Sequence, residues 1–433
     1  MILEPSGSIG MSIMAVGTAA FARSPAGLVA VICSAQVLVQ IGAFFWPALL
    51  PGMIPLWQLS NSEAGWITAG FYGAYMVSVP VLVTLTDRVD PKRVYLFGVA
   101  ATVAGHLMFA MFAEGFWSAL AMRALTGMGW AGTYMTGLKL LADRVDAKMM
   151  SRATAGHAAS IGISGALSFA CGDIIAAAAG WRAAFFAAGI SAAVAWLAVA
   201  LVVPGQSRHA APAKDAQGLY DFRPVFRNRS AMAYAIAYCI HTLEMSALRG
   251  WGVAFLGYVA VTTGAGTAAV LSPAIVATGL GLIGTFASVA GNEAAIRFGR
   301  KRLIVTAMLA SILIGGTIGF VGSMSYAVAA VLITLYGIVI WLDSSSLTAG
   351  TAGTAEPSRR GATLAVHSML GYAGGFLGPL LIGWTLDLSG GMSQIGWGLS
   401  FLSVALLMVI ALVTFWVIRP RELEGDRGKE REG

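Results

Sequence analysis

The stretch Val83-Thr84-Leu85-Thr86-Asp87-Arg88-Val89-Asp90-Pro91-Lys92-Arg93 sets five charged residues between two long apolar runs, and Arg297-Phe298-Gly299-Arg300-Lys301-Arg302 places a second basic cluster in the same setting. The two are in register: Arg88 and Arg297, Lys92 and Lys301, and Arg93 and Arg302 are each 209 residues apart. The same offset relates Ala153 to Ala362, Thr154 to Thr363, Gly162 to Gly371 and Gly165 to Gly374. Small residues match easily in a chain with 54 glycines, but three basic matches inside one loop do not. A fixed offset of this length marks an internal repeat, two copies of one structural unit.

The apolar runs around these loops decide the class. Of 433 residues, 58% are hydrophobic and 11% charged, with a mean hydropathy of +0.78. Water-soluble chains carry about 25% charged residues, so this one cannot cover itself with a solvated surface. An integral membrane protein follows, and soluble-enzyme and nucleic-acid-binding readings fall away. Cys33, Cys171 and Cys239 all lie in apolar stretches and form neither a disulfide framework nor a metal set, so no cofactor is expected.

A bilayer core needs about 20 apolar residues per crossing helix. Twelve spans come out at 27–54, 64–85, 93–113, 116–141, 153–178, 182–203, 231–260, 271–296, 303–322, 326–347, 362–386 and 394–418. Lys and Arg test the orientation, because they gather in cytoplasmic loops. The two tails and the even-numbered loops hold 23 of the 27 basic residues, and the odd-numbered loops hold one, Arg182. Both termini are therefore expected in the cytoplasm, and the net charge of +7 belongs to that face. The first 26 residues place Arg23 after their small residues, the reverse of a signal peptide, and read as a cytosolic tail. Asn228-Arg229-Ser230 fits the glycosylation pattern but falls on the cytoplasmic side. The organisation is a tail (1–26), a six-helix bundle (27–203), a central loop (204–229) carrying Pro204, Pro212 and Pro224, a second six-helix bundle (230–418) and a tail (419–433). Six is even, so both bundles start on the same side, and a solute site is expected near the midplane between them.

Taken together, these features resemble the major facilitator superfamily from about residue 27 to residue 418. Its signature loop reads G-x-x-x-D-R-x-G-R-K. Asp87, Arg88 and Lys92 keep that pattern, while Val83 and Asp90 replace its glycines and Pro91 its Arg. The second copy keeps Arg297, Gly299, Arg300 and Lys301 but has Ile296 at the Asp position. Arg123, Gly127 and Gly129 match the family's R-x-x-x-G-x-G pattern in the fourth span. The antiporter pattern G-x-x-x-G-P is not kept in the fifth span, whereas the eleventh reads Gly374-Gly375-Phe376-Leu377-Gly378-Pro379. Within the superfamily, the cyanate and nitrate/nitrite type permeases are the group considered. Nitrate porters are expected to hold an Arg in both the second and eighth spans, and neither span here has one, so that substrate is not assigned.

The resemblance implies an all-α membrane fold of two six-helix bundles and a cytoplasmic latch built from Asp87, Arg88, Lys92 and Arg93. The near-identical Asp143-Arg144 run and the second copy, Arg297, Arg300 and Lys301, join it as gate residues. Facing Asp–Arg pairs that exchange partners would make a bistable gate. Gly127, Gly129, Gly371, Gly374 and Gly378 suit close helix packing, and with Pro379 they would let the eleventh helix bend.

Ionisable residues inside spans are functional suspects because lipid makes them costly. Arg123 lies about 10 Å into the fourth span, where it either faces a cavity as an anion or carboxylate partner or pairs with first-span backbone or Gln40. Gln36 and Gln40 share one helix face, as cavity hydrogen-bonders or interhelix glue. In the seventh span His241 and Glu244 share a face, suited to taking up and releasing a proton, unless Glu244 is neutralised by Arg249. Lys139, Glu293 and Asp343 are expected as anchors at cytoplasmic helix ends, Asp173 as an outer gate, and His106, His157 and His367 as packing residues. Trp46, Trp57, Trp66, Trp117, Trp181, Trp384 and Trp397 are placed in an outer interfacial belt.

The expected protein is a monomeric secondary transporter in a bacterial plasma membrane. It would work by alternating access and move a small organic or inorganic anion with protons. Arg123 and Arg249 serve as cavity cations, Glu244 and His241 as the coupling groups. Proton-driven drug or metabolite efflux is the alternative in transport, and a non-transporting sensor or assembly factor the alternative outside it. No nucleophile–base pair or Walker loop argues for an enzyme.

Overall fold

The computed structural model describes residues 24–86, 88–205, 222–265, 271–423 and 425–426, and Asp87 lies outside them. All regular structure among these residues is helical. In chain order the α-helices are α1 (Pro25–Gln40), α2 (Phe45–Trp57), α3 (Asn61–Leu85), α4 (Pro91–Phe112), α5 (Phe116–Ala131), α6 (Tyr134–Ala142), α7 (Ala147–Ala179) and α8 (Trp181–Val202) in the first half. After the five-residue α9 (Arg223–Arg227), the second half holds α10 (Arg229–Thr262), α11 (Pro273–Phe298), α12 (Arg300–Gly322), α13 (Tyr326–Leu342), α14 (Ser344–Thr354), α15 (Arg360–Leu388) and α16 (Gln394–Ile418).

Ten of the helical stretches are long and apolar enough to cross a membrane. α5 with α6, and the 34-residue α10, complete the twelve-span pattern. Three expected spans are not single helices: the first is α1 plus α2, the fourth α5 plus α6, and the tenth α13 plus α14. The fourth breaks at Gly132 and Thr133 and the tenth at Asp343, within one or two residues of the repeat offset.

The first-span break has a local cause. Proline has no N–H and its ring crowds the carbonyl four residues back. Pro47 therefore cannot bond Ala43, and residues 41–44 leave the helix as a turn. α10, which occupies the equivalent place in the second half, has no proline and runs unbroken.

Close packing fixes how the helices meet. A Cβ on Gly127 would collide with the Phe71 carbonyl of α3, and one on Gly129 would meet Thr102 and Gly98 of α4. Gly371, Gly374 and Gly378 press α15 onto α10 at Tyr238, the Cys239 carbonyl and the Leu243 carbonyl. Pro379 sits inside a continuous α15, and its carbonyl accepts from Trp251 Nε1 at 2.9 Å. Helices in lipid associate through such close backbone approach, there being no hydrophobic gain from leaving the lipid.

The two halves meet along α3 against α15, α7 against α11, and α2 against α10. Gly65 approaches the Pro379 carbonyl, Gly383 the Asn61 carbonyl and Gly257 Pro51, all toward the side away from the basic loops. That outer side is closed. The tryptophan belt holds only in part: Trp117 is 78% exposed, whereas Trp46 and Trp397 are fully buried core residues. Trp46 stacks on Trp57 and donates to Thr68, and Trp397 packs among Trp251, Phe255 and Phe401.

Candidate functional site

The first-span break supplies the partner of the most buried cation. With Pro47 unable to donate to it, the Ala43 carbonyl accepts from Arg123 Nη2 at 3.0 Å. The Arg123 guanidinium also lies 4.6 Å over the Phe71 ring, a cation–π contact. Its Nε and Nη1 have no hydrogen-bond partner, although the side chain is 2% exposed. Of the two placements open to Arg123, the bond to first-span backbone is made, and it leaves two donors spare.

Arg249 stands on the other side of the interface. Its guanidinium is 4.7 Å over Trp341 and 5.2 Å over Phe44, and it interacts with the Tyr72 hydroxyl. Tyr72 feels both guanidinium groups, so the structure brings the two expected cavity cations to one place, around Phe44, Phe71 and Tyr72. Neither makes an ion pair among the described residues. Beyond Arg249, a pocket between α7, α10, α11 and α13 is lined by Phe169, Leu248, Val253, Leu280 and Ile333.

Glu244 faces away from that pair. Its Oε1 accepts from the Tyr336 hydroxyl at 2.6 Å and from Ser311, while its Oε2 has no partner. The alternative pairing of Glu244 with Arg249 is not made: five helical residues separate the two by about 140°. Nor do His241 and Glu244 bond each other: His241 Nδ1 lies 2.9 Å from Asp343 Oδ1. Asp343 is thus not a cytoplasmic anchor but a buried group, 3% exposed, at the break in the tenth span. Glu293 does sit at the surface, paired with Arg297 at 2.7 Å.

Gln36 and Gln40 lie inside the first half. Tyr95 donates to the Gln36 carbonyl oxygen and Ser164 to that of Gln40, each at 3.4 Å, leaving both amide nitrogens unpartnered. Gln40 borders a small void with Phe71, Thr126 and Trp130. His157 bonds the Tyr134 carbonyl and His367 the hydroxyls of Thr348 and Thr351, whereas buried His106 has no partner on Nε2.

Among the gate groups, Lys92, Arg144, Arg300 and Lys301 make bonds within their own halves. Lys92 Nζ donates to the Ala200 carbonyl at 2.8 Å, and Arg144 to Asp90 at 3.1 Å and the Pro204 carbonyl at 2.9 Å. Arg300 donates to Asp426 at 3.0 and 3.1 Å, and to Asn292 and the Ser346 carbonyl. The backbone N–H of Lys301 donates to Glu422. Arg300 thus takes its carboxylate from Asp426 near the end of the chain, while the loop itself has Ile296. Arg88 and Arg93 are exposed. The outer side is closed, and these cytoplasmic bonds stay inside each half. Asp173 accepts from Ser272 at 3.3 Å across the closed outer side.

Reading for charges passed over the aromatic residues. Tyr75 and Tyr372 meet across the halves with ring centroids 3.9 Å apart, Trp130 lies 5.0 Å from Tyr75, and Trp130 stacks on Phe71. The available signal was Tyr72 and Tyr75 at i, i+3 inside an apolar span. A buried tyrosine there needs a partner for its hydroxyl.

A helical membrane protein of two like-built six-span halves, meeting around buried cations and aromatic rings, belongs to the class of polytopic carriers. The family model described as the Major Facilitator Superfamily matches residues 32–342, and the chain belongs to that family. It is similar to human Protein spinster homolog 1, at 27% identity over 238 residues that cover 53% of this chain and 45% of the human protein. An uncharacterized MFS-type transporter of Bacillus subtilis, YwoD, is 27% identical over 129 residues, 30% of this chain and 28% of that protein. The chain thus spans about half the length, or less, of the curated relatives it matches. Among solved structures, a bacterial homolog of the human lysosomal transporter Spinster, inward-facing and occupied, superposes with a TM-score of 0.74 at 14% identity, covering 91% of this chain and 96% of that one. The nucleoside transporter NupG gives 0.70 at 13% identity, covering 90% and 99%. The family and these relatives are membrane transporters, not enzymes.

Proposed function

We propose that the protein moves a small organic anion by alternating access, coupled to protons through Glu244. The observation that carries the anion is the pair Arg123 and Arg249. Two guanidinium groups held in spans without a carboxylate partner are costly, and an anionic solute entering between them offsets that cost. The rings of Phe44, Phe71, Tyr72, Tyr75, Trp130 and Trp341 around them favour an organic body over a bare inorganic ion. Glu244 suits proton coupling because it is buried, holds two hydroxyl donors on one oxygen and leaves the other free. His241 with Asp343 stands beside it as a second buried polar pair. A bacterial plasma membrane and a monomer complete the reading.

The same aromatic lining gives efflux of a less polar solute a footing. A stability screen in detergent separates the two, since a ligand that binds only the folded state raises Tm. Benzoate, an indole carboxylate, nitrate and uridine serve as probes. The anion reading expects an aromatic carboxylate to raise Tm by several degrees in the parent and not in Arg249→Gln. Stabilisation by uridine alone, or equal shifts in both proteins, would contradict it.

A further inference from the structure

The N-terminus of α3 is satisfied from two different directions. A helix begins with backbone N–H groups that have no intrahelical acceptor. Ser60 and Glu63 form a reciprocal capping box: the Ser60 hydroxyl accepts from the Glu63 N–H at 3.1 Å, and Glu63 Oε2 accepts from the Ser60 N–H at 2.8 Å. That leaves the N–H groups of Asn61 and Ser62 for an outside acceptor. The acceptor is Asp387, at the end of α15 in the opposite half. Its Oδ1 takes the Asn61 N–H at 3.1 Å and the Asn61 side-chain amide at 2.8 Å, and its Oδ2 takes the Ser62 N–H at 2.7 Å.

The geometry points to Asp387 as an outer latch: a carboxylate of one half that caps a helix of the other and holds the outer side shut. Three features support a latch over a passive contact. The bonds cross between the halves and are charge-assisted, the stronger kind. A negative charge at a helix N-terminus is also favoured by the helix dipole. Finally, the contact is exposed, so water can take over the two N–H groups when the halves part. Beneath it Gly383 against the Asn61 carbonyl and Gly65 against the Pro379 carbonyl let the two backbones touch, which sets the carboxylate within reach. This inference rests on the two-half fold and the closed outer side, and does not depend on which solute is carried.

The test measures opening directly. In the full chain with its three native cysteines replaced, spin labels at Glu114→Cys and Met324→Cys report the distance between the outer ends of the halves; both positions are exposed. In nanodiscs, Asp387→Ala should at least double the longer-distance population relative to the parent, with Asp387→Asn between the two. Asn61→Pro is the second variant. Proline is favoured at the first helical position, so it keeps α3 while removing two of the three donors, and it should shift the distribution as Asp387→Ala does. Unchanged distributions in Asp387→Ala and Asn61→Pro would overturn the latch and assign closure to the Gly383 and Pro379 packing alone.

Discussion

In the first half, the ionisable group buried at the interface is a cation, Arg123, held to backbone at a helix break. In the second half the buried polar groups are Glu244 with Tyr336 and Ser311, and His241 with Asp343, while Arg249 reaches out to the shared boundary. The repeat offset makes the contrast concrete. Arg249 stands where the first half has Gln40, Glu244 where it has Ala35, and Asp343 where it has Tyr134, while Arg123 stands where the second half has Leu332. Pro47, which breaks the first span, corresponds to Leu256 in the unbroken α10. The two halves share one backbone plan, and single substitutions upon it give the first half, among the described residues, a lone buried interface cation and the second half its acids together with Arg249.

The largest effect that would break this division is expected from Arg123→Ala. It removes one of the two cations and leaves the Ala43 carbonyl without its donor. Transport of a responsive anion should fall about 100-fold, which is about 2.7 kcal/mol, measured as initial rate in proteoliposomes. Arg123→Lys should recover only part, because a lysine cannot reproduce the planar guanidinium on Phe71. A second comparison uses two equivalent glycines. Gly374 faces the Cys239 backbone carbonyl, whereas Gly165 faces the edge of the Phe44 ring at 3.2 Å. Gly374→Ala should therefore cost about 1–3 kcal/mol by overpacking and Gly165→Ala less than about 1 kcal/mol, read as the difference in thermal or denaturant midpoint. The smallest effect is expected from Pro47→Ala, which makes the first span more like the seventh. It restores an N–H for the Ala43 carbonyl and should lower anion transport a few-fold with little loss of stability. Transport unchanged would show that Arg123 does not depend on the break.

The fold was largely legible because hydropathy and Lys/Arg placement need no knowledge of partners. A run of 20 apolar residues spans a bilayer whatever lies beside it, and the basic clusters at Arg88 and Arg297 keep their register through the repeat. The site was legible only in its residue types. That Arg123 and Glu244 are buried follows from where they lie in their spans. That His241 turns to Asp343, and Glu244 to Ser311 and Tyr336, depends on which helix face meets which neighbour, and periodicity is silent on that when a helix is apolar all round. The break at residues 41–44 could have been read from Pro47. The breaks at Gly132 and Asp343 had no comparable signal, and without them Asp343 looked like a helix end.

The most direct test of the account is proton-linked anion movement in sealed proteoliposomes, comparing the parent with Glu244→Gln under an imposed pH gradient. Glutamine keeps the size of the side chain and an acceptor for Tyr336 and Ser311, but cannot cycle a proton. The account predicts that an aromatic carboxylate accumulates in the parent only with the gradient, and that Glu244→Gln loses accumulation while still exchanging the anion across the membrane at zero gradient. Gradient-driven accumulation that survives in Glu244→Gln, or no movement of any anion by the parent, would contradict it.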